Sequence, residues 1–376
     1  MKILVKQENL AHALQTVSRA VSARATLPVL ANVLIKTEDA GLKLTATNLE
    51  IGITSWVGGK VDAEGELTVP AKLLTDLVTS LSSQNVELEA SAKDRTLKVT
   101  SGGSRASIKG IDAEEFPVVT TVGEAPTFTV ESRALRDALG QVVFATAADE
   151  TRPILTGVLT RLAESTLTLA AADNYRIAVR TLALGAAVPA ETVVVVPGRS
   201  YAELVRILPD SDAPVEITIT TNRSQILFHT AEVDLVSRLI EGQFPNYEPV
   251  VPRKDAWTAR ATIDRESFLG GTRRASIFAR DSANIVKVEV GSSDGQGVAV
   301  SAHAADVGDN ADELEANVEG TPTTIAFNAR YLTDVLTNLG SDEAILELSG
   351  PLAPGVVRGV GNDDYVHVIM PVRTAS

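Results

Sequence analysis

Cysteine is missing altogether from the 376 residues, which excludes disulfides, thiolate nucleophiles, zinc–thiolate sites and iron–sulfur clusters. Histidine is scarce. His12, His229, His303 and His367 lie far apart, and none has a metal-binding companion at ligand spacing. Aromatic residues make up only 4% of a chain that is 44% hydrophobic, so any core is packed mainly with Val, Leu, Ala and Ile. Long apolar runs are missing too. No stretch approaches a membrane span, and the opening MKILVKQENLAHAL meets charged and amide groups too early for a secretory signal. The expectation is a soluble, cytoplasmic protein with no membrane partner. No P-loop, Rossmann fingerprint or nucleophile elbow occurs. The glycines of GSSDGQG (291–297) lie between two strand patterns and read as a hairpin, and Asp210-Ser211-Asp212 reads as a turn after a helix. No catalytic residue, metal or cofactor is indicated, although a site assembled from dispersed residues stays open.

What the chain does have is a repeat. VPAKLLTDLV at 69–78 returns as VPGRSYAELV at 196–205 and as FNARYLTDVL at 327–336. Leu74, Tyr201 and Leu332 correspond, as do Leu77, Leu204 and Val335, and Val78, Val205 and Leu336. This is the i, i+3, i+4 spacing of one buried helix face, and each copy follows an apolar, strand-like run. The offsets are far longer than a solenoid unit, so the repeating element is a whole domain. The first two copies also share their opening: Thr26, Pro28 and Leu30 match Thr151, Pro153 and Leu155. Each copy reads as a short strand, a capped helix (Gln7–Asn9, Glu131–Ser132 and Asp264 supplying the caps), alternating strands, the repeated strand–helix, and a closing meander. Turn clusters at Lys93-Asp94-Arg95 and Asn362-Asp363 fit hairpins. The fold class is therefore α+β, three tandem domains of antiparallel sheets with two helices each, over about 1–120, 128–250 and 258–376.

The formal net charge of −14 argues against nucleic acid only as an average. On the six expected helices bases and acids nearly balance, and several of the acids stand at helix starts, where they cap. Taken alone this describes amphipathic helices with a mixed solvent face. Six such helices sharing one surface would instead suit phosphate contact inside an acidic exterior.

The chain resembles the bacterial DNA polymerase III beta subunits, the sliding clamps, over essentially its full length. The residues that carry the resemblance include TLPVLANVLI (26–35), LTATNLEI (44–51), RPILTGVL (152–159), AADNYRIAV (171–179), EGQFPNYEPVVP (241–252) and VIMPVR (368–373), besides the three helix repeats. The resemblance implies a head-to-tail homodimeric ring of clamp domains, helices inside and sheets outside, which slides on duplex DNA without sequence preference as a polymerase processivity factor. Implied partners are the DNA polymerase III alpha subunit, the clamp loader, and other polymerases and repair proteins. Arg24 matches an inner-surface DNA contact of the family, with Lys72, Arg136, Arg199 and Arg330 as companions. A scaffold that kept the fold but no longer encircles DNA is the alternative.

A groove for partner peptides is implied as well. By alignment it is built from Arg152, Leu155, Ala172, Tyr175, Arg176, Ile177, Pro245, Val250, Tyr331, Leu352, Val368, Ile369, Met370, Pro371, Val372 and Arg373. Two positions depart from the family pattern: Ala172 replaces a threonine, and Asn174 stands where a small residue is usual. The chain also runs on past Arg373. These differences bear on peptide selectivity. At the implied dimer seam an edge strand at 104–109, with Ala106 and Ile108, meets Ile277 and Phe278. Position 106 lacks the bulky aromatic that relatives can carry, so a less apolar seam is expected, with Ile108 as its apolar plug.

Overall fold

The computed structural model describes residues 1–22, 27–38, 41–82, 84–91, 93–121, 123, 125–149, 151–280, 283–291 and 296–373. Six α-helices occur among them: α1 (Gln7–Val17), α2 (Ala71–Ser80), α3 (Ser132–Val142), α4 (Gly198–Ile207), α5 (Arg265–Ala279) and α6 (Ala329–Asn338). They fall where the repeat places them, and α2, α4 and α6 bury Leu74, Tyr201 and Leu332. The shared Pro-x-Leu forms a short 3-10 turn in both copies, Pro28–Ala31 and Pro153–Thr156, with Leu30 and Leu155 buried. Proline suits the first position of such a turn because its missing N–H would be unpaired there anyway. Of the expected helix caps, Asp264 is seen, accepting from the backbone N–H of Ser267. At α1 the cap position is Lys6, which makes no side-chain capping bond, and Gln7 already lies in the helix. Gln7 instead donates from Nε2 to the Val78 carbonyl, tying α1 to α2. The last hairpin turns at Val360-Gly361, where Gly361 takes a positive φ of 74°, so Asn362-Asp363 opens a strand and is not the turn itself.

The contacts divide the chain into two units, Met1–Ser132 with Arg206–Leu239, and Arg133–Val205 with Ile240–Ser376. The first unit contains a 12-stranded antiparallel sheet. Its long strand Ile51–Ala63 serves both ends: Gly59–Ala63 pair with Lys2–Val5, while Ile51–Ser55 pair with Val233–Ser237. At Gly59 a Cβ would stand 2.7 Å from Val5, so only glycine lets the strands approach there. Strand Ser104–Lys109 forms one edge of this sheet. Helices α1 and α2 pack together, and Leu10, Leu14, Leu74 and Val78 are buried.

The second unit has a nine-stranded and a four-stranded sheet. In the larger sheet, strand Arg176–Ala183 pairs with Asn362–Ile369, bringing Ile177 opposite Val368. Sheet continuity thus cuts across the sequence repeats, because strands from neighbouring copies pair edge to edge and bury their open hydrogen bonds. Helix α5 covers the four-stranded sheet and packs against α6. No helix among the described residues is long and apolar enough to cross a membrane.

Candidate peptide-binding site

The second unit contains an apolar cavity of about 250 Å³. Its floor is Leu155, Ala172, Ile177, Phe244 and Val368, all buried members of one hydrophobic cluster. Each is placed by a local rule. Leu155 projects from the Pro153–Thr156 turn, Ala172 ends one strand, Ile177 is second in the next, and Val368 is its cross-strand partner. The rim carries Arg152, Asp173, Asn174, Pro245, Asn246 and Met370.

Between the two strands the turn 173–175 is fixed by Asp173. Its Oδ1 accepts from the backbone N–H groups of Tyr175 (2.7 Å) and Arg176 (2.9 Å). That geometry leaves the Tyr175 ring 56% exposed, stacked against Tyr331 at 6.1 Å. The Tyr175 carbonyl accepts from the Met370 N–H. Arg176 is 8% exposed, and each of its three nitrogens donates a hydrogen bond. Nε donates to Asp173, Nη1 to Asp334 on α6, and Nη2 to the Phe144 carbonyl, while the guanidinium lies 4.6 Å from the centre of the Tyr331 ring. Arg176 therefore lines the pocket and also ties its turn to α6 and to the Phe144 carbonyl. Burial, with the nearby Asp173 charge next, raises the Tyr331 hydroxyl above its ordinary range.

Nine of the sixteen expected groove residues line this cavity: Arg152, Leu155, Ala172, Arg176, Ile177, Pro245, Val250, Val368 and Met370. Leu352, Val372 and Arg373 line a second, wider depression of about 1080 Å³ on the four-stranded sheet, beside Lys287, His303 and Thr324. Pro371 is half-buried between these segments, and the next residue, Val372, donates its N–H to the Ala326 carbonyl. Ile369 must be corrected. It is fully buried, and strand alternation turns it away from the cavity that its neighbour Val368 lines. Asp173, Asn174, Phe244, Asn246 and Tyr247 line the cavity beyond the expected set. All five lie inside the recognised stretches 171–179 and 241–252, so the signal was present but unassigned.

Of the expected DNA-contacting bases, Lys72, Arg199 and Arg330 are exposed on α2, α4 and α6, and Arg136 is half-buried on α3. Arg24 lies outside the described residues. At the expected seam, Ile277 is 56% exposed near the end of α5 and Phe278 is half-buried. Ile108 is only 4% exposed and sits opposite Leu97 in its own sheet, so it is already spent in that core and cannot serve as an apolar plug. Ala106 is half-buried on the same strand. Among the described residues no cluster of side chains could hold a metal.

Three family models match in tandem: the DNA polymerase III beta subunit N-terminal domain over residues 1–120, its central domain over 129–246 and its C-terminal domain over 249–373. The chain is 34% identical to the beta sliding clamp of Synechococcus elongatus over the whole of both sequences. The crystal structure of the Bacillus subtilis DNA polymerase sliding clamp matches with a TM-score of 0.92 at 29% identity, covering all of both chains. A Pseudomonas aeruginosa sliding clamp bound to griselimycin matches with a TM-score of 0.90 at 30% identity, again over all of both chains.

Proposed function

The chain belongs to the DNA polymerase III beta subunits, the beta sliding clamps, and we propose on that premise how it works. It is a DNA polymerase processivity factor of three clamp domains. Two copies close head to tail into a ring around duplex DNA, and the ring tethers the replicative polymerase, the clamp loader and other partners through short peptides. The role is mechanical and not catalytic. Topology supplies the retention, so contacts with phosphates are few, weak and indifferent to sequence, which lets the ring slide. Lys72, Arg136, Arg199 and Arg330, with Arg24, make those contacts.

The observation that carries the tethering role is the cavity above Leu155, Ala172, Ile177 and Val368, an apolar floor with an exposed aromatic, Tyr175, beside it. A preformed hollow of this kind takes apolar side chains from many short peptides, and the Met370 thioether at its rim adapts to each. Retention on DNA decides between a clamp and a scaffold that has lost the ring. The protein should stay on nicked circular DNA after loading with clamp loader and ATP, and fall off when the circle is cut. Equal retention on circular and linear DNA, or none on either, would leave only a scaffold.

A further inference from the structure

Two residues that line the cavity are joined by an exposed hydrogen bond. Arg152, just before the Pro153–Thr156 turn, donates from Nη1 to Oδ1 of Asn174 at 3.2 Å. Neither end is loose. Asn174 sits in the turn that Asp173 pins through two backbone N–H groups, and Arg152 is followed by a proline-initiated turn whose Leu155 is anchored in the floor. Both residues line the cavity.

We infer that the Arg152–Asn174 pair is a polar bar over the pocket that selects partner peptides by the bulk of their apolar end; this rests on the pocket reading above. The floor rewards any apolar side chain, and Ala172, with only a methyl group, leaves depth without adding a polar anchor. What discriminates is the mouth. A compact side chain enters with the bar intact. A large aromatic must push the bar open and so loses a hydrogen bond from a charged donor. Glycine at 174 has no oxygen to offer and removes the bar, whereas aspartate, isosteric with asparagine, tightens it by adding opposite charge.

The test uses the full-length protein and two synthetic peptides, Gln-Leu-Ser-Leu-Phe and Gln-Leu-Ser-Leu-Ala, titrated by calorimetry. Asn174→Gly should tighten the phenylalanine peptide about fivefold, the scale of one solvent-exposed charged hydrogen bond, and leave the alanine peptide unchanged. Asn174→Asp should weaken the phenylalanine peptide by a similar factor. In an Arg152→Ala background the Asn174→Gly effect should vanish. Equal shifts for both peptides, or no shift in a protein that binds them, would overturn the bar while leaving the pocket standing. Failure of both peptides to bind any of the proteins would overturn the pocket reading and the bar together.

Discussion

Arg176 Nη1 reaches Asp334 Oδ2 at 2.5 Å, so one guanidinium joins the pocket turn to helix α6 across 158 residues of chain. The same group also holds Asp173 and the Phe144 carbonyl and packs between the Phe144 and Tyr331 rings. A planar fork with several donors fits this place, and an ammonium would not.

Arg176→Ala should therefore act as a stability mutation first and a binding mutation second. It takes the partner from Oδ2 of Asp173, whose side chain is only 15% exposed, and from the Phe144 carbonyl; the cost should be about 2–4 kcal/mol. Arg176→Lys should recover less than half of it. Urea unfolding followed by circular dichroism measures both. An unchanged midpoint for Arg176→Ala would mean that the network carries no net stability.

Tyr175 offers the opposite case. It is 56% exposed and touches the fold mainly through the Tyr331 ring. Tyr175→Ala should leave the unfolding midpoint within about 0.5 kcal/mol of the parent, as is usual for surface substitutions, yet weaken a Leu-Phe peptide roughly tenfold. A large midpoint shift with unchanged affinity would reverse its assignment from contact to scaffold.

The architecture was legible because it is periodic. Three copies of a helix with apolar residues at i, i+3, i+4 specify three buried faces; Leu74, Tyr201 and Leu332 are buried in all three, while Leu77 and Val205 are only half-buried. The pocket was legible as a set of stretches and less so residue by residue. Ile369 reads like Val368 in sequence, yet the two face opposite sides of one strand, and only the register with Arg176–Ala183 says which side has the cavity. The same blindness affected Ile108. An apolar residue on an edge strand looks available for an interface, but the neighbouring strand had already claimed it through Leu97. Arg176 was legible as a groove residue, but its bonds to Asp173, Asp334 and the Phe144 carbonyl were not, because sequence shows a charge without showing its partners.

The seam prediction now rests on Ile277. With Ile108 buried and position 106 an alanine, the exposed Ile277 on α5, beside half-buried Phe278, is the apolar surface left to be covered. Ile277→Asp should give a folded monomer at concentrations where the parent is dimeric. Sedimentation velocity at micromolar and nanomolar protein reads this directly. A parent that is monomeric throughout, or a mutant still dimeric, would move the seam elsewhere.

His367 should make the second unit sensitive to acid. Its ring is fully buried beside Phe144 and Tyr365, and burial, helped by the Arg176 charge, pushes its pKa down from 6.5 to about 3. The unfolded chain takes a proton near pH 6.5, while the folded chain refuses it until about pH 3. Over that window the unfolded state binds more protons, so stability falls as pH is lowered, by about 1.4 kcal/mol per pH unit. No loss is expected from this residue above pH 7. Between pH 7 and pH 5 the parent should lose about 2 kcal/mol more than His367→Leu, which has nothing to protonate at that site. The Leu variant loses the unpartnered ring nitrogen Nε2 but also takes the Nδ1 partner from the buried Tyr365 hydroxyl, so the pH slope and not the stability at pH 7 is the readout. Chemical denaturation at the two pH values compares the slopes. Parallel losses in the two proteins would show that His367 becomes charged without opening the fold.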